Sequence, residues 1–451
     1  MSVSTKQARI AKLAREDRQR ALTTLNHYLD MEWMLEAYRR TRKDAAPGVD
    51  GVTARDYAKE LGANLQSLLN RAKDGSFRAP PVRRKYIPKG KGEETRPIGI
   101  PTFESKVLER SVVMLLQPIY EQDFLDCSYA FRPQRGPHDA LDAMWRQLMD
   151  MEGCWLIDAD VRKYYDTVDF KHLRAFLDKR VRDGVIRRLI DKWLKAGVWE
   201  AGQVRYPSCG TPQGGVISPL LSNVYLHEVL DRWFEEVVKP RLKGRAFLVR
   251  FADDFVIGCE LRRDAERIMA VLAKRFAKYG LTIHPEKTRL VDFRKPDRTG
   301  RREKPETFDF VGFTHYWGRS QNGTRVVKQR TAKDRMQRTI GAVGDWCREH
   351  RHWPIPAQAE ALAAKLRGHF TYYGVSGNSP QLARVRYCTA RVWRKWLNRR
   401  TRGDPMNWDA FQRRILANHP LPPARILWTA RRFAQRRDAR RLLPDFMVAF
   451  T

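Results

Sequence analysis

Two aspartates, Asp253 and Asp254, stand side by side in the otherwise apolar run FLVRFADDFVIG at 247–258. Aromatic and β-branched residues flank them, which is strand chemistry interrupted by charge. Burying such a pair is costly unless a cation sits beside it. Successive strand side chains point to opposite faces, so adjacent aspartates act together only at a tight turn, and ADD supplies one. A second acidic strand end, IDAD at 157–160, can bring Asp160 alongside. Three carboxylates converging on oxygen-loving cations make a two-metal arrangement, and two magnesium ions would neutralise the buried charge. An ordinary Asp-rich hairpin turn is the alternative, and ADD alone does not decide between them.

The flanking segments are the elements that must position these residues. VRRKYIPKGKGEETRPIGIP at 82–101 alternates about a Gly/Lys turn and reads as a basic hairpin. Helical spacing covers 30–43, 54–73, 103–122, 170–196 and 262–279, with short strands near 281–293 and 307–318. GTPQGGVISPLLSN is a Gly/Pro loop feeding a long helix. Mixed order of this kind predicts an α+β fold with an antiparallel sheet. Beyond 325 the pattern reads as helix alone, with stripes at Leu362, Leu366, Phe370 and Tyr373 and at Leu382, Val385, Val392 and Trp396. Ser379 and Pro380 read as the start of the last of these. Residues 6–20 read as a short basic helix, lying on RNA or fraying into solvent.

Composition narrows the partners. Lys and Arg number 86 against 52 Asp and Glu in 451 residues, a net +34 that calls for a polyanion. The six cysteines (127, 154, 209, 259, 347, 388) form no C-x-x-C or Cys/His cluster, which argues against structural zinc and fits a reducing cytoplasm. No apolar run approaches membrane-spanning length, and the first residues carry no apolar signal core.

These motifs, in this order, resemble those of reverse transcriptases, and most closely the bacterial group II intron-encoded reverse transcriptase/maturases. FADD resembles the family's Tyr-Ala-Asp-Asp box, with Phe251 in place of Tyr, a change that removes a hydroxyl and keeps the metal ligands. ADVRKYYD, GTPQGGVISPLLSN, GLTIHPEKT and FVGF resemble the remaining palm motifs; APGVDGVT, YIPKGKGEETRPIGIP and SYAFRPQRG the N-terminal and finger blocks; LRGHFTYYG and RVWRKWLNRR the maturase portion. The resemblance covers about residues 30–400. It implies a right-hand polymerase with fingers and palm, an antiparallel sheet packed with helices, followed by an all-helical thumb/maturase domain. The expected division is 1–80 for an N-terminal extension and the start of the fingers, 81–320 for fingers and palm, 325–425 for thumb/maturase and 426–451 for a basic tail.

The resemblance also implies roles. Asp160, Asp253 and Asp254 are the expected catalytic metal ligands, with the Val161 carbonyl as a further contact. Asp158 shares a face with Asp160 but matches no motif, and Asp166 and Asp169 read as caps of the next helix. Tyr165 is expected under the nucleotide sugar, excluding a 2′ hydroxyl. Lys89 and Arg96 would clamp the triphosphate, with Arg83, Arg84, Lys85 and Lys91 as alternatives. Gln213 would touch the template or nascent pair, and Lys287 would protonate leaving pyrophosphate. Arg391, Arg394, Arg399 and Arg400 would track phosphates of structured RNA, with Trp396 turned to the core. The implied partners are group II intron RNA, an RNA template with a DNA primer, deoxynucleoside triphosphates and a target DNA, and no endonuclease domain is expected. A reverse transcriptase adopted for repair or phage defence, and a splicing cofactor that only binds RNA, share many of these features. Intron RNA flanking the gene separates the first; primer extension separates the second.

Overall fold

Near the N-terminus, apolar residues recurring every three or four positions give each helix one buried stripe. The protein, a computed structural model, is described over residues 1–88, 95–211, 214–296, 305–400 and 404–442. Helix α1 (Val3–Glu16) buries Val3, Gln7, Ile10, Ala11 and Ala14. Lys6 is also inside, 2.5 Å from Asp30 and 3.1 Å from Glu32, and Gln7 donates to the Met114 carbonyl. This corrects the reading of a frayed, solvated end: one face of the helix is docked, while Arg9, Lys12 and Arg15 stay exposed on the other. Helices α2 (Met31–Arg40), α3 (Ala54–Ala58) and α4 (Leu61–Asp74) follow.

Strands β1 (Val82–Pro88) and β2 (Thr95–Ile100) form the antiparallel hairpin, in register from Arg83 opposite Ile100 to Pro88 opposite Thr95. Helix α5 (Phe103–Tyr120) is buried on almost every side. Next come α6 (Pro137–Asp150), β3 (Trp155–Ala159), α7 (Tyr164–Thr167), α8 (Phe170–Asp178) and α9 (Gly184–Leu194). The stretch 170–196 is thus two helices, because Asp183 caps α9 through the Val185 and Ile186 amides. Strands β4 (Val198–Glu200) and β5 (Gln203–Arg205) extend the first sheet in the order β2-β1-β4-β5, with β1 and β4 parallel. Helix α10 (Ser218–Leu226) runs on into π-helical turns at His227–Asp231 and Trp233–Val238. Strands β6 (Ala246–Phe251) and β7 (Asp254–Cys259) pair antiparallel, α11 (Arg262–Ala277) packs on β3 and β7, and β8 (Arg289–Asp292) completes a second sheet ordered β6-β7-β3-β8.

The chain divides into two compact units, one of Met1–Ala143 and Trp155–Leu290, the other of Met144–Cys154 and Val291–Leu442. The second unit holds β9 (Phe308–Phe310), β10 (Phe313–Arg319) and β11 (Arg325–Thr331), then α12 (Lys333–Glu349), α13 (Ile355–Tyr373), α14 (Ser379–Leu397), α15 (Trp408–Phe411) and α16 (Ala430–Leu442). Strand β11 corrects the all-helix reading beyond 325: Val327, Gln329 and Thr331 are buried with period two. Leu362, Leu366, Phe370, Leu382 and Val385 do build the helical core. Trp393, not Trp396, is the tryptophan inside it, donating to Gln358 Oε1 at 2.9 Å. The stripe turns by way of Thr389, which leaves Trp396 half-buried at the edge. Asn378, one residue before Ser379, is the N-cap position of α14. No described helix is long and apolar enough to cross a membrane.

Candidate active site

The hairpin of β6 and β7 closes on the pair Phe251–Asp254, leaving Ala252 and Asp253 as a two-residue turn. Ala252 has φ +59°, the left-handed conformation that tight hairpin turns demand. Strand β3 pairs with β7 up to Ala159 opposite Phe255. One further step in register brings Asp160 level with Asp254, and Asp253 lies in the turn beside them.

Burial pushes the Asp253 carboxyl above its ordinary range, and the neighbouring charge of Asp160 pushes it further. Arg96 and Arg250 pull the other way. Lys287 Nζ lies 3.3 Å from Asp160 Oδ2. Asp158 is set apart from this group by its own ion pair with Arg289, at 3.3 Å. Val161 is buried and bridges Ile283, with the bonds made by its neighbours: His284 N–H to the Asp160 carbonyl and Arg162 N–H to the Thr282 carbonyl. In such a bridge the Val161 carbonyl faces away from Ile283. Among the described residues no three His, Cys, Asp or Glu side chains form a metal cage. The groups the resemblance names offer oxygen alone: the Asp160 and Asp253 carboxylates, which repel one another, the Asp254 carboxylate and the Val161 carbonyl. That fits magnesium, which takes one or two carboxylates and keeps its remaining sites for water and substrate.

Arg250 was not legible as a site residue, yet it braces the turn. It is fully buried and pairs with Asp231 through Nε at 2.7 Å and Nη2 at 2.6 Å. Nη1 donates to Asn223 Oδ1 at 3.1 Å and to the Ala252 carbonyl at 3.0 Å; Nη2 also donates to Ser128 Oγ at 2.8 Å. The bond to Ala252 ties the turn to α10 and to the Ser128 segment, which bridges β6 at Arg250. The only clue in the sequence is a lone arginine inside an apolar strand, a charge that must find an acid. Asp231, its acid, sits in a π-helical turn, a feature frequent at functional sites.

Tyr165 lies in α7, and burial, then the nearby Asp253 charge, push its phenol up to about 12. Its neighbour Tyr164 donates to the Ser222 carbonyl at 2.9 Å. The Tyr165 carbonyl accepts from Thr211 N–H at 2.7 Å. Gly210 approaches so closely that a Cβ there would meet the Tyr165 carbonyl at 2.9 Å. Asp169 caps α8 through the His172 amide, and Asp166 lies in the first turn of α7. Arg96 is exposed on β2, and its charge acts on both Asp253 and Tyr165. Arg83 is committed elsewhere, to the Pro47 carbonyl at 2.7 Å. Lys89, Lys91 and Gln213 lie outside the described residues.

The four arginines of the second unit form a separate feature. Arg391 is exposed and stacks over Tyr387 at 5.7 Å; Arg399 is exposed over Trp396 at 5.0 Å. Arg394 is half-buried over Trp408 at 5.6 Å, and Arg400, also half-buried, reaches the His352 carbonyl at 3.5 Å.

Comparison with known proteins bears on this geometry. The family described as Reverse transcriptase (RNA-dependent DNA polymerase) matches residues 87–315, about half of the 451-residue chain. Protein YkfC of Escherichia coli (strain K12) is 36% identical over 291 residues, 57% of this chain and 76% of that protein. Group II intron-encoded protein LtrA of Lactococcus lactis subsp. cremoris is 32% identical over 290 residues, 62% of this chain and 47% of its own length. Nuclear intron maturase 1, mitochondrial, of Arabidopsis thaliana is 30% identical over 95 residues, 21% of this chain and 13% of that protein.

Proposed function

The chain belongs to the reverse transcriptase family, and on that premise we propose that it copies RNA into DNA in the service of a group II intron, acting as polymerase and as maturase. One observation carries the reading: the β3–β7 register runs Asp160, just past β3, to the level of the turn that holds Asp253, with Lys287 3.3 Å from Asp160. Residues 81–320 supply fingers and palm, 325–425 the thumb/maturase portion and 426–451 a basic tail. Strands β9 to β11, at that junction, group with the helices that follow.

Asp160, Asp253 and Asp254, with the Val161 carbonyl, would hold two magnesium ions. When bound, these supply the positive charge that activates a primer 3′ hydroxyl and stabilises the α-phosphate under attack. Arg96 and Lys89 grip the triphosphate, the guanidinium by its two-pronged donor geometry. Tyr165 fills the space a 2′ hydroxyl would need and so selects deoxynucleotides. Gln213 contacts the template or nascent pair. Lys287, beside Asp160, gives its proton to the departing pyrophosphate. The net charge of +34 holds the RNA, with Arg391, Arg394, Arg399 and Arg400 reading intron structure through its phosphates. The same protein then meets the DNA target during mobility, in the bacterial cytoplasm. The test is extension of a DNA primer on an RNA template with magnesium, beside a splicing assay with intron RNA. Wild-type protein extends and the Asp253→Asn protein does not; extension by both would remove the metal assignment.

A further inference from the structure

We propose that Glu109 is a positioning residue for the polymerase site: its buried carboxylate clasps the loop ahead of α10 and thereby sets the seat of Tyr165. The first turn of a helix leaves backbone amides without partners. Ile217, the N-cap of α10, makes no side-chain capping bond. Glu109 on α5, 3% exposed, instead holds the two amides just ahead of that first turn. Its Oε2 accepts from Val216 N–H at 2.6 Å and from Ile217 N–H at 3.2 Å, and its Oε1 lies 3.2 Å from Ser105 Oγ.

The other end of the same loop is tied to the tyrosine turn. Gly210 N–H donates to the Val168 carbonyl at 2.8 Å, and Thr211 N–H to the Tyr165 carbonyl at 2.7 Å. Between the two ends, Gly214 presses on β2, where a Cβ would come within 2.4 Å of the Gly99 carbonyl. The helix whose start Glu109 holds also carries the Ser222 carbonyl that fixes Tyr164 and the Asn223 oxygen that takes Arg250. A shift at Val216 therefore reaches the tyrosine turn through the Ser222 carbonyl and Tyr164, and the Asp253 turn through Asn223 and Arg250.

The clasp responds to protons. Burial raises the Glu109 carboxyl to about 7, against the amide bonds, Ser105 and Lys106, which lower it. On α5 its charged neighbours are Lys106 and Arg110. The walls from β1, α9 and α10 present Val82, Trp193, Leu194, Ile217 and Leu221, none of them titratable. Arg83 and Asp50 act on Lys106. Once ionised, the carboxylate binds both amides more strongly than the acid does.

This inference rests on the polymerase reading, so its test has one arm that needs no activity. In the full chain labelled with 15N, the Val216 and Ile217 amide resonances should titrate together with a midpoint near 7. In Glu109→Gln they should not move. In primer extension, the wild-type KM for the incoming nucleotide should fall roughly fivefold as pH rises through that midpoint, with kcat less affected. Glu109→Gln should keep the high KM throughout, and Glu109→Asp should recover part of the response. Wild-type amides that do not titrate, or a Gln variant with the wild-type KM profile, would overturn the clasp. A wild-type chain that extends no primer would sink the polymerase reading instead, with the amide titration still deciding the clasp.

Discussion

Arg250 and Arg391 carry the same guanidinium and use it in opposite ways. Arg250 is fully buried, with five hydrogen bonds to Asp231, Asn223, Ala252 and Ser128. Arg391 stands exposed, with Tyr387 beneath it. Around the ADD turn, one side chain in one geometry decides whether a carboxylate points where chemistry needs it. On α14, charge is spread over several arginines, and each is worth only its own contact. The first region should therefore fail all at once under single substitutions, and the second by degrees.

The largest effect expected is at the turn itself. Asp253→Asn should lower primer extension by at least about a hundredfold, the scale of losing one preorganised charge from a reacting centre. RNA affinity, measured alongside, should be nearly unchanged, as the proposal that distributed Lys and Arg hold the RNA requires. If both fall together, the two regions are not separate in function. Arg250→Met comes next. It leaves Asp231 as a buried charge without its partner, at a cost of about 3–5 kcal/mol in urea unfolding. Replacing Asp231 by Leu in the same chain should return most of that loss. If the single variant is as stable as wild type, the hairpin does not depend on this pair.

Tyr165→Ala should raise ribonucleotide over deoxynucleotide incorporation by about tenfold, as expected for a group that works by filling space. An unchanged ratio in competitive extension would make Tyr165 a packing residue only. The smallest effects belong to α14 and the residues just past its end. Each of Arg391, Arg394, Arg399 and Arg400 changed to Gln should lower the salt slope of intron-RNA binding by about one. Splicing assistance should weaken with each, while extension on an unrelated template at saturation changes less. Arg391 and Arg399, the two exposed ones, should show this most clearly. A sudden collapse after one substitution would blur the contrast between the regions.

Local spacing made much of this legible. The ADD hairpin, the β1–β2 hairpin and the helical stripes all follow from residues a few positions apart, where side-chain direction is set by the backbone period. What stayed hidden depends on partners distant along the chain. Asp231 lies on a helical segment preceding β6, and nothing in LDRW marks it as the acid for Arg250. Glu109, in VLERS, reads as an exposed helix charge until Val216 and Ile217 come to meet it. The docked face of α1 is hidden for another reason: charge count says little about which side is turned inward. Trp393 and Trp396 are both spaced to join the stripe, and only packing against Gln358 and Phe411 separates them.

The buried pair of Arg250 and Asp231 also bears on heat. Hydration of ions becomes less favourable as temperature rises, so the cost of keeping this pair dry shrinks on warming while the gain from apolar burial levels off. The brace behind the ADD turn is thus held by an interaction that warming favours. A template's own folds melt under the same warming, so the temperatures that open a structured RNA for copying are those at which this brace is least costly to maintain.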